Sequence, residues 1–226
     1  MKRMVTAIAT LSGALMGIQA QAAHVVLNSG TPYDYMVHAN SAGDGFSLNL
    51  ITKPEDYYVN VSSSDHIDVG NGNGVAQVNG FPKGQDFSDV TIGPITPIDP
   101  LDPTAGFSVI QFKIEGPTGR VKGDNFDIFL TFLNGDTQNI FDQALPANDK
   151  IDIFADGDEI IASVKLYGLV DAKGNPLDFN ALKQISFNAA SASAVPEPAS
   201  WAMMLSGFGL VGGSLRRSKK RNISLA

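Results

Sequence analysis

The stretch Phe126-Asp127-Ile128-Phe129-Leu130-Thr131-Phe132-Leu133-Asn134-Gly135-Asp136-Thr137 decides the fold. Phe126, Ile128, Leu130 and Phe132 recur at period two, which puts them on one face of an extended strand, whereas a helix would need a period of 3.6. Asn134-Gly135 then supplies the positive backbone angles of a tight hairpin turn, and 137–141 reads as the returning strand. The device recurs downstream. Residues 151–155 lead into Asp156-Gly157, after which Ile160, Ala162, Val164 and Leu166 alternate on one face.

Working outward, Gly174-Asn175-Pro176 marks a turn before a last strand near 184–188. Earlier strands are expected over 25–28, 46–51, 57–61, 75–78 and 107–114, each bounded by Gly, Pro, Asn or Asp. No amphipathic helical period stands out. A single open sheet would leave one apolar face wet, so the expectation is a mainly β domain over 23–188, a two-sheet β-sandwich of jelly-roll-like or immunoglobulin-like kind. The proline-rich run 93–103 reads as a cross-over loop, because proline lacks the donor that a ladder needs. Residues 65–74 read as a flexible, glycine-rich surface loop, and 189–195 as a linker.

Both ends read as targeting segments. Lys2 and Arg3 precede an apolar run to Ile18, and Ala20-Gln21-Ala22 places small residues where a signal peptidase cuts, so 1–22 is expected to be a signal peptide handled by the secretion machinery. At the other end, 199–215 is uncharged for 17 residues, about 25 Å of helix, and is followed by Arg216, Arg217, Lys219, Lys220 and Arg221. That pattern predicts one transmembrane helix with its basic end in the cytoplasm and the body outside.

The net charge of −7 conceals an asymmetry. Seven of the 16 bases lie at the ends, and 23–195 carries 22 acids against nine bases, a net charge of −13. Such a field repels polyphosphate, which excludes nucleic acid as a partner and favours neutral glycans or divalent cations. With no cysteine there are no disulfides, thiol nucleophiles or thiolate metal sites.

Asp152, Asp156, Asp158 and Glu159 crowd the second hairpin and are candidate calcium ligands, although an EF-hand loop started at Asp152 would meet Phe154 and Ser163 where ligands belong. A solvated Asp-Gly turn is the better account of them, and no cofactor is expected. His24, His38 and His66 are the only imidazoles. With no Gly-x-Ser-x-Gly elbow and no His-Glu-x-x-His helix in the chain, they read as surface residues. Tyr33, Tyr35, Tyr57 and Tyr58 could stack on sugar rings if they shared a face, though Tyr57 and Tyr58 must point oppositely within one strand.

Pro196, Glu197, Pro198, Trp201, the glycine-containing apolar run and Arg216 with Arg217 together resemble the PEP-CTERM sorting signal. The resemblance covers 196–221 and departs from the usual ending only by 222–226. It implies recognition by an exosortase-type membrane peptidase, an intermediate anchored in the inner membrane, then transfer to the cell surface or extracellular matrix. Proteins of this kind often accompany exopolysaccharide and biofilm production. The same tail is also labelled an ice-binding protein C-terminal motif, but Thr52, Thr91, Thr96, Thr104 and Thr131 are too scattered for a flat threonine array. The function expected is that of a non-enzymatic interaction module, the alternative being a secreted hydrolase acting on glycans.

Overall fold

A computed structural model describes residues 22–39, 43–72, 75–99, 105–117, 124–146, 149–191 and 206. The chain divides into two units, Met1–Ala190 and Ser191–Ala226, and the description that follows is of the first. Residues 1–21 of the expected signal and, apart from Ser206, the segment 196–221 with its expected span lie outside the described residues. No helix among the described residues is long and apolar enough to cross a membrane.

The structure is mainly β. Its strands are β1 (Ala23–Leu27), β2 (Tyr35–His38), β3 (Gly43–Lys53), β4 (Tyr57–Gly72), β5 (Val75–Gly80), β6 (Val90–Pro97), β7 (Ala105–Glu115), β8 (Asn125–Phe132), β9 (Thr137–Ala144), β10 (Ile151–Ala155), β11 (Ile161–Val170) and β12 (Ala181–Ser191). They form one sheet in the order β1-β10-β7-β12-β2-β3-β4-β6-β11-β8-β9, with β5 bridging β12 and β4. β11 also pairs with β7, through Ile161 opposite Phe107. That pairing closes the path from β7 to β11 into a barrel, with β10 and β1 continuing outward from β7 and β8 and β9 from β11.

The expected two-sheet sandwich therefore gives way to a single sheet that curls onto itself. Closure covers the apolar face as a second sheet would, and it leaves β1 and β9 as the end strands of the sheet. Glycine makes the closing approach feasible. A Cβ on Gly106 would meet the Ile161 carbonyl oxygen at 2.5 Å, and one on Gly93 would meet that of Ala162 at 2.5 Å. Only a residue without a side chain lets β6 and β7 come this close to β11.

The alternation read in β8 is borne out: Phe126, Ile128, Leu130 and Phe132 are buried, and the residues between them are half-buried. The Asn134-Gly135 turn forms where expected, with Gly135 at φ 91° and Phe132 N–H donating to the Asp136 carbonyl at 2.9 Å. Asp156-Gly157 also turns, with Gly157 at φ 63°. On β11 it is Ile161 rather than Ile160 that joins Val164 and Leu166 in the core, because the register slips between Ile161 and Ser163.

Three sequence expectations change. The run expected as a loop from 93 begins inside β6, which pairs Tyr57 with Pro97 and Val59 with Ile95; Pro94 is exposed, so its missing donor costs little. The glycine-rich segment from 65 is still strand to Gly72, paired along β5. The linker starts later than 189, since β12 runs to Ser191.

Ala23, the expected mature N-terminus, begins β1 and is buried. Gln138 of β9 holds it there: its Oε1 accepts from Ala22 N–H at 3.0 Å and Ala23 N–H at 2.9 Å, and its Nε2 donates to the Ala23 carbonyl at 2.9 Å. One side-chain amide thus joins the two end strands of the sheet, satisfying backbone groups that an open edge would expose.

Candidate functional site

The four acidic candidates do not act as one group. Asp152 is fully buried and takes Tyr33 Oη–H and Gln111 Nε2 (2.7 Å) on Oδ1 and Ser29 N–H (2.9 Å) on Oδ2. Lys150 Nζ extends the network to Gln111 Oε1 at 2.9 Å. Burial, then the Asp152 carboxylate, pushes the Tyr33 hydroxyl up to about 12. A buried carboxylate needs such partners, and here they pin the β1–β2 connection to β10 and β7. Asp156 instead meets His24 Nδ1 at 2.7 Å, while Glu159 accepts from Asn134 Nδ2 at 3.0 Å. Asp158 lies exposed in the turn. Among the described residues no group of three or more His, Asp or Glu side chains is gathered for a metal.

The tyrosines part company too. Tyr35 and Tyr57 meet edge-on at 4.9 Å between ring centres, and Tyr35 stacks on Phe187 at 5.3 Å, so both belong to internal packing. Burial, followed by Tyr57 and Asp56, pushes the Tyr35 hydroxyl up to about 12. Tyr58 alone of the four is exposed. His38 is half-buried, and burial, helped by Lys53, holds its pKa below the ordinary histidine value.

Aromatic rings converge on the surface at a place the sequence reading passed over. β3 and β4 pair as Gly45 opposite Ile67 and Ser47 opposite Ser62, so Phe46 falls out of the ladder on one side and 63–66 on the other. Such a bulge bends the strand and re-aims its side chains. His66 leaves the bulge between two phenylalanines, stacked on Phe46 at 5.2 Å with 19° between planes and tilted against Phe81 at 4.5 Å. Phe46 is 60% exposed and Phe81 43%. His66 Nε2 lies 3.0 Å from Asp44 Oδ2.

The bulge is held by residues far along the chain. Ser63 Oγ donates to the Asp89 carbonyl at 2.6 Å, Ser64 N–H to Asp89 Oδ1 at 2.8 Å, and Ser88 N–H to Asp65 Oδ2 at 2.6 Å. Lys165 Nζ of β11 reaches Asp89 Oδ2 at 2.7 Å. Burial raises the Asp89 pKa, but the bonds from Lys165 and Ser64 outweigh it and hold the carboxyl below the usual range. Phe81 is fixed by its own N–H, which donates to the His66 carbonyl at 2.8 Å, and by a turn closed through Gly80 N–H to Gln85 O at 3.0 Å. The result is a preformed aromatic surface with a carboxylate at its rim.

The tail carries its own information. Residues 194–220 match the PEP-CTERM protein-sorting motif. The motif spans Pro196, Glu197, Pro198, Trp201, Arg216 and Arg217, and it implies an exported protein that passes through a membrane-anchored intermediate and is processed by an exosortase-type membrane protein. No curated protein and no solved structure matches the chain. The sorting motif therefore speaks for the tail, and the barrel must be read from its own surface.

Proposed function

We propose that this chain is a surface or extracellular-matrix protein whose barrel is a non-enzymatic interaction module, acting among exopolysaccharide and biofilm components. The observation that carries the reading is a sorting motif at residues 194–220 behind a body with a net charge of −13. A body so acidic repels anionic polymers and stays soluble outside the cell, while uncharged glycans meet no such barrier. Export by signal peptidase at 1–22, anchoring through 199–215 and release near Pro196 to Pro198 complete the route.

The route is tested by changing Pro196, Glu197 and Pro198 to alanine, which leaves the apolar run and basic cluster intact. The unprocessed form should then accumulate in the inner membrane; a variant shortened and released like the parent would reduce the tail to an anchor. The module reading is tested by a pull-down with the producer's own exopolysaccharide. Retention without new reducing ends supports it, and release of reducing ends would instead favour a secreted glycan hydrolase.

A further inference from the structure

We propose that Phe46, His66 and Phe81, with Asp44 at the rim, form a binding platform for the uncharged pyranose rings of a neutral polysaccharide, which rests on and sharpens the interaction-module reading. The three rings come from separate elements, β3, the β4 bulge and the turn after β5, and the imidazole touches both others, stacked on Phe46 and tilted against Phe81. By the alternation of a regular strand Phe46 would share the inward face of Leu48 and Leu50, yet at the register slip it is 60% exposed. An exposed phenylalanine gains nothing from water, so a fold that fixes two of them around an imidazole presents apolar area for a ligand.

The surroundings select the occupant. A pyranose has an apolar C–H face that lies on an aromatic ring and a rim of hydroxyls that need acceptors. The half-exposed Asp44 carboxylate provides the acceptor beside the rings. Asp44 stands directly opposite Asp68 across the β3–β4 ladder, a like-charge pair that sharpens the local negative field. Uronate or sulfate groups would be repelled there, and neutral sugars would not.

The test is affinity electrophoresis of the full chain, in a detergent without a sugar headgroup, through gels carrying dextran, galactomannan or mixed-linkage β-glucan, with alginate as the polyanion. At least one neutral polymer should retard the protein and alginate should not. Phe46→Ala and Phe81→Ala should each weaken retardation about tenfold. Phe141→Ala, which removes a 63% exposed ring on β9, should leave it unchanged, and Phe46→Trp should restore it. Equal retardation of all variants would overturn the platform while leaving the module reading standing. Binding to alginate alone, or a change in self-association in place of glycan retardation on Phe46→Ala, would overturn the neutral-glycan assignment. If the wild type is retarded by none of the gels and the exopolysaccharide pull-down also fails, both readings fall.

Discussion

Two aromatic clusters in this barrel use similar side chains to opposite ends. Inside, Tyr35, Tyr57, Phe107 and Phe187 meet at 4.9 to 6.3 Å, with Phe107 and Phe187 fully buried. Outside, Phe46 and Phe81 meet the His66 imidazole at 5.2 and 4.5 Å, with both phenylalanines exposed. The inner rings come from regular strands, the outer ones from a bulge, a register slip and a turn. In these two clusters the regularly paired rings lie in the core, and an irregularity that other residues hold in place turns the others to the surface. Stability should therefore reside in the first cluster and recognition in the second.

The largest effect that could break this contrast is loss of an inner ring. Phe187→Ala removes a fully buried ring and should cost roughly 3–5 kcal/mol, read as a drop in the thermal midpoint of about 10 °C. A midpoint close to wild type would mean that the inner cluster is not the mechanical centre. Next comes the anchor of the strap that leads into Tyr35. Asp152→Ala leaves the donors of Tyr33, Gln111 and Ser29 without their acceptor and should cost roughly 2–3 kcal/mol by denaturant unfolding.

Two pH dependences sharpen the comparison with smaller effects. Tyr33 and Tyr35 keep their protons to about 12 in the folded state against 10 unfolded, so the unfolded state loses protons first and stability should fall between pH 10 and 12. Tyr33→Phe should make that alkaline limb shallower; an unchanged limb would remove Tyr33 from the buried network. On the outer side, the lowered carboxyl of Asp89 contributes stability above the ordinary carboxylate pKa and loses it as pH falls through the lowered folded value. The difference in midpoint between wild type and Lys165→Ala, present at neutral pH, should accordingly shrink in acid. A constant difference would show that Lys165 supports the bulge through packing and not through Asp89.

The smallest effect is the most diagnostic. Phe46→Ala should change stability by less than about 1 kcal/mol, because that ring is largely in water already, and Phe81→Ala, at 43% exposure, should cost far less than loss of a fully buried ring. A loss as large as that of Phe187→Ala would make the outer cluster structural and end its claim to a separate role.

Much of the strand pattern was legible in the residues. Phe126 to Phe132 alternate because side chains on a strand alternate, and Asn134-Gly135 turns because glycine takes φ 91° without cost. The tail was legible for a similar reason. A tripeptide, an apolar run and a basic cluster are contiguous features, and 194–220 matches the sorting motif without any reference to the fold.

The strand limits and the surface were not legible, since both depend on partners distant in sequence. The strand expected to end at 61 runs on to Gly72, with Ser88 and Asp89 bonding its Ser63, Ser64 and Asp65 and Lys165 holding Asp89, and Pro94 looked like a loop residue until β6 placed it facing out. Nothing local distinguishes Tyr57, which packs inside, from Tyr58, or marks Phe46 as the ring to be turned outward. Local sequence determines which backbone shapes are cheap. Whether the sheet closes depends on Ile161 meeting Phe107, and which rings are left in water depends on bonds such as those of Ser63 and Ser64 to Asp89 and of Ser88 to Asp65, all of which only the assembled barrel can decide.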